Sequence, residues 1–121
     1  IPNDRGTQNE IDVLVCKDNK VIIIECKATK SSLSFKYVQK WLSEIVPTFR
    51  KWLQNTYPQR KYEFQIWSLG GFDEQATTLL KKHKQATTKY TLSYYSKSDI
   101  VDMAKDYGDH NFMNQIKKHF S

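Results

Sequence analysis

Apolar positions along the chain follow two different periods, and the changes between them predict the elements. Residues 10–17 and 20–27 are apolar-rich runs on either side of Asp18-Asn19, the pattern of two β-strands joined by a tight turn. Residues 21–24 are uninterrupted Val and Ile, which predicts a strand covered on both faces and central in its sheet. After Ser34, a candidate cap, Phe35, Val38, Trp41, Leu42, Ile45, Phe49, Trp52 and Leu53 recur at helical spacing. Pro47 falls inside that stripe, so the helix either kinks there or restarts with Pro47 in its first turn, and Pro58 closes the region. Residues 61–69 alternate as a third strand that Gly70-Gly71 stops. A helix from Asp73 to about Ala86, a strand over 89–95, a helix capped by Ser98 to about Tyr107 and an amphipathic helix over 111–120 follow. Residues 1–9 are polar and turn-rich. The order β-β-α-β-α-β-α-α predicts an α/β domain, a mixed sheet of about four strands flanked by helices.

Three charges break the pattern, because Asp12, Glu25 and Lys27 lie in strands that otherwise suit burial. A two-residue turn at Asp18-Asn19 places Lys17 opposite Lys20 and therefore Asp12 opposite Glu25. Side chains alternate along a strand, so Glu25 and Lys27 share a face while Cys26 points to the other. A slip of one residue would scatter the set. Facing carboxylates repel unless a cation lies between them, and their hard oxygens suit Mg²⁺ or Mn²⁺ rather than zinc. A nearby ammonium can stabilise charge building on a phosphate or orient an attacking water. Together these groups suit phosphodiester hydrolysis. The alternative is a structural ion pair at the sheet edge, Glu25 with Lys27 or Asp12 with a lysine, since buried charge is costly unless paired.

Asp12, followed by twelve residues and then Glu25-Cys26-Lys27 at the end of an apolar strand, resembles the PD-(D/E)xK nuclease superfamily, the restriction-endonuclease-like fold. The Asn9-Glu10-Ile11-Asp12-Val13 opening and the Ile24-Glu25-Cys26-Lys27 closing are similar to the nuclease domains of CRISPR-associated sensor-nucleases. The likeness extends more distantly to Holliday-junction resolvases and Mrr-type enzymes. Ile11 stands where the superfamily's name has Pro. The resemblance implies that Asp12 and Glu25 hold a catalytic Mg²⁺ or Mn²⁺ with the backbone carbonyl of Cys26, that Lys27 is the catalytic lysine, and that Glu10 assists. It also implies a helix ahead of the first strand. Residues 1–121 are thus expected to be one nuclease-like domain lacking that helix, part of a longer chain. Many proteins of this fold act as dimers that cut one strand each, so a homodimer is an admissible assembly.

Composition adds a partner. Nineteen Lys and Arg against thirteen Asp and Glu give a net charge of +6, which favours an anionic partner, nucleic acid first. Charge does not separate DNA from RNA, and DNA is the expected substrate only by the resemblance. Lys36 and Lys40 stand one helical turn apart just after the candidate site, and Lys81, Lys82 and Lys84 cluster on the second helix. Each is a candidate phosphate contact, with a solvated polar face as the alternative. His83, His110 and His119 have no metal-site spacing. Trp41, Trp52 and Trp67 are expected in the core rather than stacked on bases. Thr29, Ser31 and Ser32 follow Lys27 as ordinary loop residues that could touch a phosphate. Gly70-Gly71 lacks the ending of a phosphate loop. Cys16 and Cys26 suit reduced, buried residues of a cytoplasmic protein. No apolar run approaches the ~20 residues needed to span a bilayer, so no membrane partner is expected. The expected activity is a metal-dependent endonuclease. The competing classes are a non-catalytic nucleic-acid-binding or interaction module on the same fold, and a plain structural domain whose charges only solvate it.

Overall fold

Among the described residues, four strands form one mixed sheet in the order β1-β2-β3-β4. They are β1 (Glu10–Lys17), β2 (Lys20–Lys27), β3 (Lys61–Ser68) and β4 (Thr91–Ser96). β1 runs antiparallel to β2, whereas β2, β3 and β4 are parallel. The computed structural model describes the backbone of residues 10–107 and the side chains of residues 13–103. The helix predicted over 111–120 therefore lies outside the described residues. The architecture is the expected α/β one.

The apolar stripe after Ser34 folds as α1 (Phe35–Lys40), a π-helical turn (Trp41–Ile45) and α2 (Val46–Thr56). Pro47, in the first turn of α2, has no N–H to donate to Ser43, and the ladder widens one residue earlier, where the Val46 N–H reaches the Trp41 carbonyl. The Thr48 hydroxyl bonds the Glu44 carbonyl at 2.8 Å. The proline thus marks a wide turn within a continuous helical run. α3 (Glu74–Ala86) starts at Asp73, whose carboxylate accepts from the Ala76 N–H at 2.7 Å. α4 (Lys97–Tyr107) begins two residues earlier than a Ser98 cap would place it. Its first turn is instead closed by Asp99, which accepts from the backbone N–H of Ser96 at 2.9 Å and from its hydroxyl at 3.0 Å.

The two sheet faces are covered differently. Val21, Ile23, Phe64, Ile66 and Leu92 pack against Val38, Trp41, Phe49 and Leu53 of the first helical run and against Ala76 and Leu80 of α3. The opposite face carries a smaller cluster in which Cys26 and Trp67 meet Ile100 of α4. Trp41 and Trp67 are buried and Trp52 packs against the main core, as expected of core aromatics. Cys26 is buried, but Cys16, expected inside, is exposed, because β1 is an edge strand with no helix described over that position. No helix of the described residues is long and apolar enough to cross a membrane.

The loops leaving β2 and β3 are fastened to each other. Leu33 bridges Phe72, with the Leu33 N–H on the Gly71 carbonyl at 2.9 Å and the Asp73 N–H on the Leu33 carbonyl at 2.9 Å. Gly70 is where the two backbones come closest, since a Cβ there would lie 2.1 Å from the Ser31 carbonyl oxygen. Asp73 then serves two helices, because its second carboxylate oxygen accepts from the Phe35 N–H of α1 at 3.3 Å.

Two stability measurements check this account. Gly70→Ala is expected to lose roughly 2–3 kcal/mol in denaturant unfolding, because the clash is with backbone. Gly71→Ala, strained only by its φ of 76° in open space, is expected to lose about 1 kcal/mol. Equal losses would show that the two loops do not hold each other. At the other end of the sheet, His83 Nε2 lies 2.5 Å from the Tyr90 hydroxyl, and burial lowers the His83 pKa below its ordinary 6.5. The unfolded chain then binds the proton more readily, so this contribution to stability is present above pH 6.5 and lost as pH falls through the lowered value. His83→Gln is expected to flatten that part of the stability profile, and an unchanged slope would contradict the assignment.

Candidate active site

The hairpin register places the acids. Asp18 takes a left-handed backbone (φ 55°), which Asp tolerates in a tight turn, and Lys17 pairs with Lys20. Counting back along both strands, Asp12 pairs with Glu25 and Glu10 with Lys27. The Asn19 carbonyl accepts from the Lys61 N–H at 2.9 Å, which ties the turn to the start of β3. On its other side Glu25 pairs with Ile66, and Lys27 with Ser68. Glu25 and Lys27 thus lie at the carboxyl ends of the parallel strands, the rim where open α/β sheets present ligands.

Glu25 is 1% exposed and shares the main core face with Val21 and Ile23. Its carboxylate is met from α1, where the Tyr37 hydroxyl donates to Oε2 at 2.9 Å. The same tyrosine ring lies 5.1 Å from the Lys27 ammonium, within cation–π range. Tyr37 is held in turn by its own N–H on the Ser34 side chain at 3.2 Å, the cap of α1. Sequence reasoning passed over Tyr37. The signal available was a hydroxyl-bearing aromatic on the sheet-facing helical stripe, four residues before Trp41, because a buried tyrosine hydroxyl needs a partner.

Glu63 is the contrasting case, 7% exposed on the other face of β3. Lys20 pairs with it at 2.7 Å, and Gln65 donates to it while accepting from the Trp67 indole at 2.9 Å. That is a structural buried carboxylate, given a cation and a closed hydrogen-bond chain. Glu25 instead stands in register with a second acid.

The remaining candidates divide by position. Lys36 and Lys40 are exposed on α1, beside Tyr37. Lys81, Lys82 and Lys84 are exposed in the later turns of α3, which lead away from the rim toward His83 and Tyr90, and Lys84 lies 5.9 Å from the Tyr94 ring. The Ser32 hydroxyl bonds the Gly70 carbonyl at 3.0 Å and that of Thr29 the Ser31 carbonyl at 3.4 Å, so both serve the loops. The Cys26 side chain faces α4, which leaves only its main chain for the site. His110 and His119, and the side chains of Glu10 and Asp12, lie outside the described residues. Among the described residues no three His, Cys, Asp or Glu side chains gather, so a cation would rest on Glu25, on Asp12 through the register, and on main-chain oxygen. The hard oxygen chemistry of that set fits Mg²⁺ or Mn²⁺.

The model of the nuclease-related domain family matches residues 1–100 of the chain, which includes every strand and the whole rim. The chain belongs to that family. No curated protein and no solved structure matches it. The nuclease-related domain is consistent with the PD-(D/E)xK-like superfamily and implies a nuclease-related function. In this member, the pair of charged positions closing β2 falls well inside the matched segment.

Glu25→Gln separates a site from a structural ion pair. It keeps a side-chain oxygen for Tyr37 while removing a buried charge that stands opposite Asp12. It is therefore expected to raise the unfolding midpoint in chelator, by about 1 kcal/mol of stability. A lowered midpoint would show that the charge is there to hold the fold.

Proposed function

We propose that this nuclease-related domain is an Mg²⁺- or Mn²⁺-dependent endonuclease that hydrolyses phosphodiester bonds of nucleic acid, DNA ahead of RNA. One observation carries the reading: a nearly inaccessible Glu25 in register with Asp12, two residues from Lys27, at the carboxyl rim of the sheet. The family supports the coarser part of it, a nuclease-related activity. The net charge of +6 supports an anionic substrate.

Asp12 and Glu25 would hold the cation, with the Cys26 backbone carbonyl as a further oxygen. When bound, the cation supplies Lewis acidity at the phosphoryl oxygen and a more acidic water. The protein's own groups account for the rest. Lys27, on the same strand face as Glu25, places an ammonium where negative charge grows on the phosphoryl group, or where the attacking water must be oriented. The Glu25 carboxylate is kept out of bulk water, so its interactions with charge are stronger than they would be on an open surface. Lys36 and Lys40, exposed beside the rim, are suited to contact backbone phosphates and to position the strand without reading its sequence.

The test is a cleavage panel of supercoiled plasmid, linear duplex, single-stranded DNA and RNA, each with Mn²⁺, Mg²⁺ or EDTA. Lys27→Ala is expected to lower cleavage by about 100-fold or more while nucleic-acid binding stays within a few-fold. Asp12→Asn is expected to remove cleavage by weakening cation binding. Full cleavage by both variants would refute the proposal. Salt-sensitive binding without turnover by the folded wild-type chain would favour a binding module instead.

A further inference from the structure

We infer that Tyr37 is a positioning residue of this site, fixing the Glu25 carboxylate through its hydroxyl and the Lys27 ammonium through its ring. The inference rests on the metal-dependent nuclease reading above and assigns a task to a residue outside the strand motif.

The two contacts are chemically independent. A glutamate at a strand end has three side-chain torsions, and a carboxylate that must present oxygen to a cation works only if its plane is held. The 2.9 Å bond from the Tyr37 hydroxyl to Oε2 supplies that restraint from the side of α1. Such hydrogen bonds to a ligand oxygen fix its orientation toward a bound ion. Ile66, the β3 neighbour of Glu25, is apolar and fully buried, so its side chain offers the carboxylate no hydrogen bond. Lys27 has a longer and looser stem. Its ammonium 5.1 Å from the ring centroid is attracted to the π face without forfeiting its hydrogen-bond donors, so it is restrained and still able to donate.

Tyr37 can restrain others only because it is itself fixed. Its N–H is capped by Ser34, and the first N–H of α1, from Phe35, is taken by Asp73. Asp73 follows directly on the loop that Gly70 packs against residues 30–31. Next along the helix, Val38 is fully buried. The tyrosine is thus a rigid strut from α1 to the rim.

The deciding variants are Tyr37→Phe, which keeps the ring, and Tyr37→Leu, which removes both contacts. Each is compared with wild type by the free-Mn²⁺ electron paramagnetic resonance signal during titration, by turnover at saturating Mn²⁺, and by thermal melting in chelator. Tyr37→Phe is expected to raise the Mn²⁺ dissociation constant about 10-fold and to lower melting in chelator by a few degrees, because a buried carboxylate oxygen loses a donor, while turnover at saturation falls by much less than affinity. Tyr37→Leu is expected to show the same loss of affinity and, in addition, turnover lower by roughly 10-fold at saturation, because Lys27 loses the ring contact that orients its ammonium. Wild-type affinity in Tyr37→Phe would overturn the inference and leave the nuclease reading standing. Absence of Mn²⁺ binding by the wild type would overturn the nuclease reading and this inference with it. If Tyr37→Leu does not fold, the Phe variant still decides, since it differs only by the hydroxyl.

Discussion

A carboxylate almost removed from water, at the end of a strand paired on both sides, is the constraint on which the rest of this structure turns. Glu25 is 1% exposed and has Asp12 across one strand pair and Ile66 across the other. Desolvating an ionised carboxylate costs several kcal/mol before any partner is counted. Of the two residues in register with it, one is an acid and the other a hydrocarbon. The Tyr37 hydroxyl, donated from α1, contributes part of the compensation. The position of α1 is therefore dictated as much by a polar requirement as by the apolar stripe that buries it.

That requirement is met through a chain of backbone contacts rather than through long-range packing. The loops after β2 and β3 lie against each other at Gly70, continue as the Leu33–Phe72 bridge, and end at Asp73, which accepts from the first turns of both α1 and α3. One aspartate shared by two helix N-termini favours a single relative placement, since each carboxylate oxygen serves a different helix and the dipoles of both helices favour negative charge there. The rim is therefore held by the elements that enter and leave it, while the Val, Ile and Phe core below needs only its volume filled.

Much of this was legible in the sequence because it depends on local rules. The two-residue turn at Asp18-Asn19 sets a register by counting, and the pairing of Asp12 with Glu25 follows from it. The run of branched residues over 21–24 marks a central strand, and Asp73 is a recognisable start for α3. What stayed hidden depends on contacts distant in sequence. Tyr37 was an anonymous member of a helical stripe, since nothing local says that its hydroxyl meets a carboxylate twelve residues earlier. Gly70 looked like a strand stop, and only the approach of residues 30–31 shows why a Cβ is excluded. Pro47 allowed a kink or a restart, and the structure adopts a π turn because the widened ladder passes the missing donor with least disruption. Cys16 shows the reverse failure, as an apolar residue in a strand pattern says nothing about whether that strand lies at an edge.

The two buried glutamates of the sheet stand in contrasting surroundings. Glu63 and Glu25 lie on adjacent strands and opposite faces, and both are nearly inaccessible. Around Glu63 the hydrogen-bond and charge requirements close within the protein, through Lys20, Gln65 and the Trp67 indole. Nothing further is called for at that position, and substituting its partners would test stability alone. Around Glu25 the arrangement sets two acids in register beside a lysine, a geometry that a divalent cation would complete. Glu63 has a lysine as its ion-pair partner, whereas the residue in register with Glu25 is a second acid. Like charges directly across a strand pair lower stability. Their placement at the carboxyl rim supports the cation-binding reading proposed for this site.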